Sequence, residues 1–240
     1  MRKLTETGNY ISTRIGRAIA DYKLIEDGDR ILIGVSGGKD SLSLAYLLNE
    51  RKKWAPVKYE LIVMHVETDY DCARPGREKL KKFFRGMRMK SHFEKINIRD
   101  ARKGPSCFWC SWNRRKALFL AADRFKCNKV ALGHHRDDIV ETLLLNILYQ
   151  GQISAMNPRQ EMFKGKLTII RPLCHVEEVS TRKFAKEMRF PVIAEACPAA
   201  ESSKRRKMKN FIKEIERGCH YVKTNIFRSM SRIRSEYLNV

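Results

Sequence analysis

Three groups of residues in this 240-residue chain have the types and spacing to do chemistry. The first is Ser36-Gly37-Gly38-Lys39-Asp40-Ser41, a glycine pair flanked by hydroxyls, with a lysine and a carboxylate between them. Glycines allow a tight turn and clear the amides of side chains. A helix that starts just after such a turn offers N–H donors and a positive dipole end to an anion. Spacing excludes two familiar phosphate loops: a Walker A loop needs a glycine where Ile33 stands and Ser or Thr where Asp40 stands, and no G-x-G-x-x-G can be written across the turn. The second group is Cys107 and Cys110, whose C-x-x-C spacing suits half a zinc site, a redox dithiol or an iron–sulfur ligand pair. A place beside a helix N-terminus favours thiolate. A structural zinc site wants a second tight pair, whereas Cys72, Cys127, Cys174, Cys197 and Cys219 are scattered singly. Of these, Cys197 follows the last extended segment and precedes Pro198 in a small-residue loop, where it can fold back over the sheet edge. Cys127 reads as a small buried hydrophobe, and Cys72, Cys174 and Cys219 as structural. The third group is His134-His135-Arg136-Asp137-Asp138, whose two acids suit capping of a helix and equally magnesium binding or proton transfer, with Asp138 preferred for the chemical role.

These residues must be held by elements, and the apolar pattern places them. Ile31 to Val35 is a short continuous apolar run, as in a strand buried on both faces of a parallel sheet. Ser41 suits an N-cap, and Leu42 to Leu48 carries the apolar face of the helix behind it. Further strands are expected at Tyr59–Val66, His92–Ile98, Lys129–Leu132 and Leu167–Leu173, with 151–166 as a loop. Helices are expected at about 8–24, around Leu80–Met87, Ser111–Phe125, Ile139–Tyr149 with Gly151 as its cap, and Val179–Met188. Ser203–Glu216 has Met208, Phe211, Ile212 and Ile215 at helical spacing, leaving Lys204, Arg205, Arg206, Lys207, Lys209 and Lys213 for solvent or phosphate. Alternation of strand and helix predicts an α/β fold, a doubly wound parallel sheet of about five strands. An N-terminal helix (1–27), the sheet domain (28–198) and a basic helical extension (199–240) make up the expected organisation. Ligands of such sheets collect beyond the carboxyl ends of the strands, so the glycine loop, the cysteine pair and the His-Asp run can share one pocket.

Charge bears on partners. With 49 Lys and Arg against 27 Asp and Glu, the formal net charge is +22, which suits a polyanion, and nucleic acid is preferred over a membrane face. No apolar run approaches the ~20 residues of a membrane span, and the start MRKLTETGNY lacks an apolar signal region, so a cytoplasmic protein without a membrane partner is expected.

The SGGKDS loop resembles the pyrophosphate loop of the PP-loop ATP pyrophosphatases, which adenylate a substrate and release pyrophosphate. With IGRAIADYKLIEDGDRILIGVSGGKDS, CFWCSWNRR, KVALGHHRDDIVETLLLNILYQG, IIRPL and FPVIAEAC in order, the chain resembles the tRNA 2-thiocytidine synthetase family over most of residues 15–200. The resemblance implies ATP bound at Ser36 to Ser41 with Mg²⁺, catalytic roles for Lys39, Asp40 and Asp138, and a [4Fe-4S] cluster on Cys107, Cys110 and Cys197. It implies thiolation of cytidine 32 of tRNA, sulfur from a donor such as a cysteine desulfurase, and a homodimer. Related 2-thiouridine synthetases share the loop and the His-Asp run, and a non-catalytic RNA-binding iron–sulfur redox protein is the alternative of another class. In two places the chain departs from the family pattern: EACPAAES lacks a second cysteine near Cys197, and 69–74 is longer.

Overall fold

The computed structural model describes residues 4–69, 76–98, 107–193 and 204–237. In chain order its elements are α1 (Glu6–Tyr22), β1 (Asp29–Gly34), α2 (Lys39–Arg51), β2 (Tyr59–Thr68), α3 (Arg77–Gly86), β3 (Lys90–Ile96) and α4 (Cys107–Arg124). There follow β4 (Lys129–Leu132), α5 (Arg136–Gln150), β5 (Arg159–Met162), β6 (Leu167–Ile170), α6 (Glu178–Glu187), α7 (Lys204–Gly218) and α8 (Val222–Ser229), then a 3-10 turn at Ser235–Tyr237. These fall into two units, Met1–His135 with Asn157–Ala199, and Arg136–Met156 with Ala200–Val240.

The first unit is built on one six-stranded sheet in the order β3-β2-β1-β4-β6-β5. Its first five strands in that order run parallel, as expected for crossover connections, and β5 joins β6 antiparallel. Along β1, Leu32 faces the cluster formed with Ala117, Ala121 and Ala122 of α4, and its neighbours Ile31 and Ile33, which point the other way, are equally buried. Both faces are therefore covered, which explains why these strands read as unbroken apolar runs. Helices α1, α2 and α6 pack on one another. α1 is capped by Thr5, whose Oγ1 accepts the Gly8 amide at 3.1 Å, and Thr5 and Thr7 donate to the Glu187 carboxylate at 2.6 and 2.8 Å, tying α1 to α6.

Four differences from the sequence reading have local causes. The stretch 151–166, expected as a loop, contains β5: Arg159, Gln160 and Glu161 are polar and exposed and only Met162 packs on the core, so a sheet edge left no apolar alternation to read. Gly38, not Ser41, caps α2, and Ser41 sits one turn in, its hydroxyl donating to the Gly38 carbonyl at 3.0 Å. α4 starts at Cys107 rather than Ser111, so both cysteines of the pair lie in its first turn. The last strand stops at Ile170, three residues before the expected end: Arg171 still donates its amide to the Pro158 carbonyl at 2.9 Å, and Pro172 has no amide hydrogen to continue the ladder.

In the second unit α7 and α8 pack on α5. Met208 and Ile212 are buried against Val140, whereas Phe211 and Ile215 of the expected stripe stand 46% and 38% exposed, so the docked face is half as wide as the spacing implied. Gly151, with φ +63°, ends α5 as expected.

Candidate active site

Strand order reverses between β1 and β4, which makes their carboxyl ends the topological switch point where open α/β sheets bind ligands. The glycine loop leaves β1 there. Gly37 turns it at φ +87°, a conformation that a Cβ would strain, and Gly38 donates its amide to Ser36 Oγ at 3.2 Å. Ser36 Oγ lies 3.3 Å from Ser41 Oγ, so the two hydroxyls brace the loop across its mouth. The first intrahelical bond of α2 is Leu42 N–H to the Gly38 carbonyl at 3.1 Å. The amides of Lys39, Asp40 and Ser41 precede it and make the donor set of an anion site. At the end of β4, Gly133 lies so close that a Cβ there would come within 2.9 Å of the Ser41 amide nitrogen. The loops after β1 and β4 are in direct contact.

The polar side chains of the loop point to α6. Lys39 Nζ lies 2.9 Å from Asp40 Oδ2 and 3.1 Å from Glu178 Oε1. Burial pulls the Lys39 pKa down, but Asp40 and then Glu178 outweigh it, and the net shift is upward. The ammonium is held charged. Thr181, fully buried, donates its hydroxyl to Asp40 Oδ1, and buried His135 places Nε2 3.9 Å from Asp40 Oδ2. Lys39 and Asp40, expected at the ligand, make contacts here that fasten α6 to α2. Glu178 and Thr181 gave no signal in the sequence beyond a charged helix.

Beside the loop, at the carboxyl end of β2, His65 stands buried with Nδ1 2.7 Å from the Val35 carbonyl, so Nδ1 carries a proton and donates it. Its Nε2 is 3.8 Å from Glu67 Oε1, and Arg77 reaches Glu67 Oε2 at 2.8 Å. With Ser36, Arg114 and Ile193 these side chains line a cavity of about 20 Å³. A histidine inside the apolar run YELIVMHV was the legible signal here, and the sequence reading passed over it.

Cys107 opens α4 and Cys110 follows one turn later, half-buried, so the spacing puts the two positions on one helix face. Such a pair suits a soft metal centre at the helix start. Cys197 lies outside the described residues. Burial pushes the Cys127 thiol up and the Cys174 thiol to about 12, which keeps both protonated as free thiols. The remaining expected acid, Asp138, belongs to the second unit, in the first turn of α5. There Arg205 of α7 lies 3.8 Å from Asp138 and 3.7 Å from Glu141, and Lys223 of α8 lies 3.1 Å from Asp137 and 2.9 Å from Glu216. Burial lowers the Lys223 pKa, but Glu216 and Asp137 turn the net shift upward.

A family model described as a PP-loop domain matches residues 9–215. A tRNA-cytidine(32) 2-sulfurtransferase of Geobacter sulfurreducens is 40% identical over 236 residues, covering 95% of this chain and 91% of that protein. One from Geotalea uraniireducens is 39% identical, covering 95% of this chain and 93% of that protein. Among solved structures, the U34-tRNA thiolase NcsA from Methanococcus maripaludis with its [4Fe-4S] cluster superposes with a TM-score of 0.77 at 21% identity, covering 97% of this chain and 80% of that one. That likeness extends to the fold.

Proposed function

The chain belongs to the tRNA-cytidine(32) 2-sulfurtransferase family of PP-loop proteins, and from that premise we propose that it uses ATP to replace the C2 oxygen of tRNA cytidine 32 by sulfur. The carrying observation is the glycine loop at the switch point, with Lys39 held charged between two carboxylates. A pyrimidine C2 oxygen is a poor leaving group. Its attack on the α-phosphorus of ATP expels pyrophosphate and makes an adenylate. Sulfide then forms the bond to C2 as the C–O bond breaks and AMP departs with the oxygen. The charge that grows on pyrophosphate is met by the amides of Lys39, Asp40 and Ser41 and by the Lys39 ammonium, with magnesium carried on the nucleotide. Asp40 positions Lys39, and Asp138 is assigned a carboxylate's task toward magnesium or a proton.

Cys107, Cys110 and Cys197 would hold the [4Fe-4S] cluster, which when bound supplies an iron free of protein ligands that can carry sulfide. The half-buried Cys110 one helical turn from Cys107 fits such a group. Sulfur comes from a donor such as a cysteine desulfurase, with a reductant to take its persulfide to sulfide, and the working enzyme is a homodimer. The test is AMP and pyrophosphate release from ATP on adding tRNA, with mass spectrometry of tRNA nucleosides from cells with and without the gene. Loss of 2-thiocytidine on deletion supports the reading; loss of a 2-thiouridine instead moves the target to uridine, and the absence of both nucleoside loss and pyrophosphate release overturns it.

A further inference from the structure

The first turns of α4 carry more than the cysteine pair. Trp109 and Trp112 stack with ring centroids 5.4 Å apart and planes 9° from parallel, and each is 45% exposed. Large aromatic rings left this open to water mark a binding surface more often than a packing residue. Trp109 is fixed in place, its Nε1 donating to the Ile98 carbonyl at 3.2 Å. Lys116 lies over the Trp112 ring at 5.5 Å, one turn further along the same stripe. From Trp112 the stripe runs into a groove of about 710 Å³ between α4 and the β5–β6 hairpin, walled by Phe119, Leu120 and Phe163. Leu120 and Phe163 are 62% and 56% exposed. Arg115, Lys116 and Lys166 line it against the single acid Asp123.

An apolar groove rimmed by cations and floored by aromatic rings has the composition of a single-strand track, in which bases stack and phosphates meet the rim. We propose that the Trp109–Trp112 pair and the groove behind it bind unpaired nucleotides of the tRNA anticodon loop, Trp112 stacking a base and Arg115 and Lys166 gripping the flanking phosphates. This rests on the tRNA reading above and adds the place where the loop is held. Cys110 lies between the two tryptophans in the helix, so a base stacked on Trp112 is held within one turn of that position.

The test uses an anticodon stem-loop RNA and the same stem as a blunt duplex, in a Trp54→Phe background so that emission comes from Trp109 and Trp112 alone. The stem-loop is expected to quench that emission and the duplex to leave it. Trp112→Ala should weaken stem-loop binding about ten-fold and leave duplex binding unchanged, and Trp112→Phe should restore most of the loss. Arg115→Gln and Lys166→Gln should each lower the salt slope of binding by about 0.7. Trp112 is exposed, so circular dichroism of the alanine variant should match the parent. Equal stem-loop affinity with and without Trp112 overturns the proposal. So does a dimer that Trp112→Ala dissolves with RNA affinity unchanged, which assigns the platform to a second copy. Stem-loop quenching by a protein that releases no pyrophosphate with tRNA leaves the track standing and removes the enzymatic reading instead.

Discussion

Replacing Lys39 by Met and Glu178 by Gln, singly and together, separates what holds the loop lysine from what that lysine does. Lys39 and Glu178 have side chains 24% and 13% exposed and 3.1 Å apart, between an exposed ion pair worth under about 1 kcal/mol and a buried one whose rupture costs about 3–5. Lys39→Met should cost about 2 kcal/mol, because it strands Asp40 and Glu178 facing the place where their shared cation was. Glu178→Gln should cost about 1, since Lys39 keeps Asp40 and a neutral amide. The double variant should cost no more than Lys39→Met alone, a coupling of about 1 kcal/mol in a double-mutant cycle by urea denaturation. The pH dependence has a definite sign. The Lys39 pKa is raised above its usual 10.5, so its stabilisation is whole below that value and fades as pH rises through the folded pKa. Wild type and Lys39→Met should therefore converge at strongly alkaline pH. In pyrophosphate release with tRNA, Lys39→Met should lose on the order of a hundred-fold or more, and Glu178→Gln about ten-fold, through a lysine less well aimed. Additive stabilities, with a coupling below about 0.3 kcal/mol, would refute the view that Glu178 holds Lys39.

Anaerobic protein should be brown with about four irons; Cys107→Ala, Cys110→Ala and Cys197→Ala should each lose iron while Cys127→Ala keeps it, read by iron assay and absorbance. Gly133→Ala should abolish tRNA-dependent pyrophosphate release and cost about 1–3 kcal/mol, because its Cβ would meet the backbone of Ser41 at 2.9 Å; a fully active variant removes the claimed contact between the two loops. Neutralising Lys204, Arg206, Lys207 and Lys213 on the exposed face of α7 should weaken all tRNAs alike, each lost phosphate contact taking ~0.7 to 0.9 from the salt slope. An unchanged slope confines tRNA contacts to other surfaces.

The loop was legible from sequence because its chemistry is local. Two glycines, a lysine and an acid between a β-branched apolar run and an amphipathic stretch specify a turn and a helix start within a few residues, and the structure forms both. The parallel sheet was legible for the same reason, since strands buried on both faces must be apolar at every position, as Ile31, Leu32 and Ile33 are. β5 left no such trace. It is an edge strand whose pairing comes from the backbone of β6, and backbone hydrogen bonds put no demand on the side chains of Arg159 or Glu161. What only tertiary structure decided is the company the loop keeps. Glu178 and Thr181 lie far along the chain from Lys39 and Asp40, and the distance closes only when α6 packs on α2. His65 reaches the loop because parallel pairing sets β2 beside β1 in a register that brings its ring to the Val35 carbonyl. Sequence spacing identifies groups that can act on a phosphate. Which of them stay charged, and which are spent holding others, depends on burial and on partners supplied by distant segments, and the folded chain alone sets those.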